Sequence, residues 1–139
     1  MNLVAYIDGA SRGNPGESGI GVIIKDEKRN IIDKISGYIG KTTNNIAEYT
    51  ALITCLRRVK ELNLDSLTVY SDSELLVRQI QGKYKVRNAR LKLLFEDVRK
   101  LLNEANFEFK IKHIDREENR EADQLANAGI DSRFKIKFN

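Results

Sequence analysis

Tryptophan is absent from this chain, and proline, histidine, cysteine and methionine occur once each. A lone cysteine cannot close an internal disulfide, and Cys55 falls inside the apolar run Leu52 to Leu56, where it reads as a small hydrophobe rather than a reactive thiol. One cysteine and one histidine do not make the nitrogen and sulfur cluster of a zinc site. No apolar stretch approaches the roughly 18 residues of a membrane span. Asp8 and Arg12 interrupt the first segment, so a signal sequence is not expected there and the protein is expected in the cytosol. Repeats, low-complexity tracts and linkers are also missing, and residues 1–139 are expected to form one domain, with 131–139 as a tail.

What is present is ordinary for a folded protein: 41% hydrophobic and 32% charged residues. A net charge of +4 and a pI near 9.2 favour a polyanionic partner only weakly. The distribution says more. Lys83, Lys85, Arg87, Arg90 and Lys92 crowd around Tyr84, and Arg133, Lys135 and Lys137 alternate with Phe134, Ile136 and Phe138 in the tail. The first group reads as a phosphate-contacting patch or as a solvated helix entrance; the second as an added edge strand or a docked segment.

Leu3 to Asp8 is apolar on both faces, as in a central strand. Gly9 to Gly19, which holds the only proline, reads as a turn-rich connection. Strands are expected over Ile20 to Lys25 and Ile31 to Ile39. A helix from Asn45 carries the stripe Tyr49, Leu52, Ile53, Leu56 and Val59. Leu67 to Asp72 is a strand, Glu74 to Gln81 a short helix, and Asn88 to Asn103 a longer one. Phe107 to His113 alternates as an edge strand does, and Glu117 to Gly129 is the last helix, with Gly129 as its cap. Three strands in a meander followed by helices alternating with two more strands predict a mixed five-stranded α/β sheet, strands 4 and 5 running parallel to the first.

Four carboxylates stand out in that frame. Asp8 and Asp72 end apolar strands, each two residues after a tyrosine (Tyr6 and Tyr70), while Glu48 and Asp123 interrupt helical stripes. Each has a structural explanation: Asp8-Gly9 as a turn, Asn45-x-x-Glu48 as a capping box, Asp72 as a helix-start residue, Asp123 as a partner of Arg120. Together they point elsewhere. If the strand ends are parallel neighbours, converging anions would raise one another's pKa values unless divalent cations compensate. A donor set made only of oxygens favours Mg²⁺ or Mn²⁺.

The segments that carry these acids are Tyr6-Ile7-Asp8-Gly9-Ala10-Ser11, Thr42-Thr43-Asn44-Asn45-Ile46-Ala47-Glu48, Tyr70-Ser71-Asp72-Ser73 and Asn119-Arg120-Glu121-Ala122-Asp123-Gln124-Leu125-Ala126. With Gly13-Asn14-Pro15-Gly16 they resemble ribonuclease H of type 1 in order and spacing, over nearly the whole of Leu3 to Gly129. The resemblance implies a metal-dependent endonuclease that hydrolyses the RNA strand of RNA–DNA hybrids, leaving 5′-phosphate and 3′-hydroxyl ends. Asp8, Glu48, Asp72 and Asp123 would be the catalytic carboxylates holding two Mg²⁺ ions, or Mn²⁺, around the phosphodiester.

By the same resemblance His113 would assist proton transfer or product release, although Ile114-Asp115-Arg116 departs from the glycine-bearing loop of some relatives. Asn14, Asn44 and Asn45 would read the hybrid, Thr43 would seat a DNA phosphate, and Glu74 stands where some relatives carry glutamine. The chain lacks the basic, tryptophan-rich protrusion that some relatives insert after the fourth strand; Lys83, Lys85 and Arg87, with Arg90, would replace it in part. The expected molecule is a monomer acting on hybrids without a membrane. Two alternatives stay open: a nuclease of broader range, cutting double-stranded RNA or junctions, and a hybrid-binding module without catalysis.

Overall fold

A computed structural model describes residues 1–133. Five strands form one sheet in the order β3-β2-β1-β4-β5. These are β1 (Asn2–Gly13), β2 (Gly16–Lys25), β3 (Ile31–Thr42), β4 (Ser66–Ser71) and β5 (Glu108–His113). The first three pair antiparallel, and β4 runs parallel to both β1 and β5, as the element order predicts. Four helices complete the fold: α1 (Asn44–Val59), α2 (Glu74–Ile80), α3 (Ala89–Glu104) and α4 (Arg120–Ser132).

The two faces of the sheet are covered differently. Leu3, Ala5 and Ile7 of β1 and Ile20, Val22 and Ile24 of β2 join the core beneath α1, whose predicted stripe from Tyr49 to Val59 is buried in full. The opposite face of β2 is met by α4. The approach there is so close that a Cβ on Gly21 would lie 2.1 Å from the Ala122 carbonyl oxygen. Small residues on both partners, with Ala122 and Ala126 fully buried, let the helix backbone rest on the sheet.

Several expected boundaries are corrected. Gly9 to Gly19 is no loose connection: β1 and β2 continue through it as a paired ladder, from Gly9 opposite Ile20 to Gly13 opposite Gly16, and only Asn14 and Pro15 turn. The glycines there serve close packing, which the sequence pattern does not separate from chain breaking. Thr43, rather than Asn45, caps α1, its hydroxyl accepting the Ile46 N–H at 3.3 Å. Glu48 therefore lies beyond any capping box. Ser73 caps α2 in the same way, so Asp72 is left out of the helix start. The last helix begins at Arg120, after a short 3-10 turn over Arg116–Glu118, and runs past Gly129 to Ser132. Gly129 is a packing residue against Gly37, and Arg133 takes the left-handed cap. The expectation for Phe134, Ile136 and Phe138 lies outside the described residues.

Candidate active site

Parallel pairing aligns Tyr6 with Tyr70 and Ile7 with Ser71, so the next residues, Asp8 and Asp72, emerge side by side at one edge of the sheet. The two tyrosines stack, ring centroids 5.1 Å apart. Glu48 reaches the same point from α1. Its close approach requires Gly9, where a Cβ would lie 2.4 Å from the Glu48 nitrogen. The Gly9 N–H in turn donates to Glu48 Oε1 at 2.6 Å, in a buried setting.

Asp8, Glu48 and Asp72 each offer a carboxylate oxygen within 4.8 Å of the others. Asp123, on the first turn of α4, lines the same cleft, and its charge is one of those that raise the Asp8 pKa. Opposite Asp8 in the ladder is Gly21, whose missing side chain admits the Ala122 backbone and so brings Asp123 within reach.

The electrostatic consequence is a strained acidic pocket. Burial, then the charges of Glu48, Asp72 and Asp123, push the Asp8 carboxyl up to about 10. Burial and the Asp72 charge push Glu48 up to about 8, against the opposing effect of the Gly9 amide. Two arginines line the cleft, and one of them, Arg12, is held by Asp131 at 2.7 Å. Close-set, oxygen-only donors whose ionisation is opposed by burial and mutual repulsion suit hard divalent cations, which would favour the ionised forms.

The other predicted residues are placed unevenly. Asn44 lines the cleft, and Asn14 meets it at one remove, its Oδ1 accepting the Asn44 N–H at 3.0 Å. Thr43 is the cap described above, and Asn45 is exposed on the first turn of α1. Glu74 opens α2 next to the cleft residue Ser73 and faces Arg78 at 3.7 Å. Lys83, Lys85 and Arg87 are exposed on the short connection 81–88, beyond the end of α2, roughly 10 Å of helix away from Asp72. His113 pairs with Ser71, one strand from Asp72, but its side chain is exposed and does not line the cleft.

Sequence reasoning missed Arg12, Arg116 and Asn127 in the cleft wall. Asn127 donates to both the Asp123 carbonyl (3.0 Å) and its carboxylate (3.3 Å), and Arg12 donates to Asn127. The i, i+4 spacing of Asp123 and Asn127 on one helix was the available signal.

Comparison with known proteins agrees with this geometry. A family model described as reverse transcriptase-like matches residues 6–129. Ribonuclease HI of Halobacterium salinarum is 35% identical over 127 residues, covering 91% of this chain; the chain spans only 63% of that relative's length. Ribonuclease H of Clostridium botulinum is 34% identical, with 93% of this chain and 95% of that protein covered. The structure of LC11-RNase H1 in complex with an RNA/DNA hybrid is 45% identical, with a TM-score of 0.89 and coverage of 94% and 97%. With the sheet order, the acidic cleft and these relatives in agreement, the chain belongs to the ribonuclease HI family.

Proposed function

We propose that this chain is a divalent-cation-dependent endonuclease that hydrolyses the RNA strand of RNA–DNA hybrids, leaving 5′-phosphate and 3′-hydroxyl ends. The observation that carries this reading is the meeting of Asp8, Glu48 and Asp72 oxygens within 4.8 Å, in a cleft that Asp123 also lines. That a relative 45% identical was solved with an RNA/DNA hybrid supports the choice of substrate.

In this reading the four carboxylates hold two Mg²⁺ or Mn²⁺ ions. Bound there, the ions would supply Lewis-acid stabilisation of the charge that builds on the phosphate and on the attacking and departing oxygens. The protein's own task is to fix the anions in advance. Strand ends set Asp8 and Asp72, the Gly9 amide orients Glu48, and Asn127 holds Asp123. Asn44 and its partner Asn14, with Thr43, Asn45 and Glu74, face the hybrid, where amide groups can recognise a 2′-hydroxyl as both donor and acceptor. His113 moves a proton or eases product release from the cleft's edge. Lys83, Lys85 and Arg87 contact phosphates along the duplex. No described helix is long and apolar enough to cross a membrane, and the proposed working form is a cytosolic monomer of one domain.

The test is incubation with labelled RNA–DNA hybrid, double-stranded RNA and double-stranded DNA, in Mg²⁺, Mn²⁺ or EDTA, beside Asp72→Asn. Hybrid cleavage that requires the ion and drops by more than roughly a hundredfold in the variant is expected. EDTA-resistant cleavage would refute the mechanism. Equal cleavage of double-stranded RNA would replace it with a broader nuclease, and binding without cleavage with a recognition module.

A further inference from the structure

Asn119 sits at the entrance to α4 and is 1% exposed, among the most buried polar residues described. It offers no side-chain cap to its own helix. Its Nδ2 instead donates across the molecule to the Ile7 carbonyl of β1 at 2.8 Å and to Asp72 Oδ2 at 3.4 Å. Its main-chain carbonyl accepts the Asp123 N–H at 3.1 Å. One buried residue therefore touches the residue preceding Asp8, the carboxylate of Asp72 and the backbone of Asp123.

We infer that Asn119 is a positioning residue for the acidic centre: its amide fixes the separation of the two strand ends and the orientation of the Asp72 carboxylate relative to α4. The orientation of the amide follows from its neighbours. Both groups that its Nδ2 meets are oxygens with lone pairs, so turning the amide over would set its own oxygen against two acceptors. Its Oδ1 is buried and has no hydrogen-bond partner among the described residues.

The arrangement also explains why the donor must be neutral. A lysine or arginine here would bring a full positive charge against Asp72 and oppose the binding of a cation. An aspartate, if ionised, would add a fifth anion and repel both the Ile7 carbonyl and Asp72; if protonated, it would offer one hydrogen to two acceptors. An asparagine amide orients the carboxylate with partial charges and leaves its net charge available to a ligand.

This inference rests on the reading of the cleft as a divalent-ion site, and the experiment separates the two. Mn²⁺ affinity is measured by electron paramagnetic resonance on the wild-type chain, Asn119→Ala and the isosteric Asn119→Asp. Hybrid cleavage and thermal unfolding in EDTA are measured beside it. Asn119→Ala is expected to weaken Mn²⁺ binding and lower kcat by roughly 10- to 100-fold, with KM for the hybrid unchanged. Asn119→Asp, nearly identical in shape, is expected to lose activity at least as far as Asn119→Ala.

A variant that melts earlier in EDTA yet keeps wild-type Mn²⁺ affinity and kcat would overturn the inference and leave Asn119 a packing residue. So would full activity in Asn119→Asp, which also serves if Asn119→Ala does not fold. Absence of Mn²⁺ binding and cleavage in the wild type would instead overturn the reading of the cleft itself.

Discussion

Asp8 carries opposite demands at the scale of a single residue. Its carboxylate is useful to a cation and costly to the protein without one, since burial and three neighbouring acids all oppose its ionisation. Asp8→Asn should therefore abolish hybrid cleavage while raising the melting temperature in EDTA by roughly 3–4 °C or more, the shift expected for about 1 kcal/mol in a domain of this size. An unchanged or lower melting temperature would show that the charge is relieved by some other group.

The pH dependence follows with a definite sign. Asp8 and Glu48 ionise later in the folded protein than in the unfolded chain, moving from ordinary values of 3.8 and 4.5 to about 10 and about 8. Between those limits the folded state binds more protons, so their effect on stability grows less favourable as pH rises. Ion-free protein should melt higher in mildly acidic than in mildly alkaline buffer, and Asp8→Asn should flatten that difference. Saturating Mg²⁺ should also flatten it. His113 belongs to the same scale: exposed and outside the cleft wall, its replacement by alanine should slow turnover without abolishing it. A loss beyond about a hundredfold would make it a direct proton-transfer group.

At the scale of elements, the proposed chemistry depends on two close backbone approaches, at Gly9 and at Gly21. Gly21→Ala would place a methyl group 2.1 Å from the Ala122 carbonyl, and only movement of α4 can relieve that contact. Urea unfolding should report a loss of about 1–3 kcal/mol, and activity should fall further than stability explains, because Asp123 moves with the helix. Full activity in a destabilised Gly21→Ala would disconnect the helix position from the chemistry.

This scale also shows what the sequence could tell. The matched Tyr6-x-Asp8 and Tyr70-x-Asp72 patterns put each acid on the same face as its tyrosine, because side-chain alternation in strands is strict, and the element order predicted that these strands run parallel. The stripe of α1 was legible for the same kind of reason. The β1–β2 ladder was not: glycine marks a turn in one context and a tight packing surface in another, and only the partner decides. The cap of α1 was misread because Thr43, Asn44 and Asn45 are all acceptable caps by chemistry. Asn119 escaped because nothing local distinguishes a helix-entrance asparagine that caps from one that reaches across the sheet.

At the scale of the whole molecule, the connection 81–88 carries exposed cations beyond the end of α2, outside the lining of the acidic cleft. Such an arrangement separates grip from chemistry. Replacing Lys83, Lys85 and Arg87 by glutamine should weaken hybrid binding, with kcat preserved at saturating substrate. The slope of log affinity against log salt should flatten by roughly 0.7–0.9 for each phosphate that these cations neutralise. An unaltered slope would mean that these side chains stay in solvent.

The element order carries a consequence for the moment at which the proposed centre becomes complete. Three of the acids arrive on segments translated early or midway, but Asp123 and the tethering Asn119 belong to α4 and its entrance, the last helix described, which closes over β2 on the face opposite α1. A nascent chain emerging from the ribosome can thus assemble its sheet and most of its core while the cutting centre still lacks a wall. Under the proposed function, completion of the four-acid centre is deferred until that helix has emerged and docked.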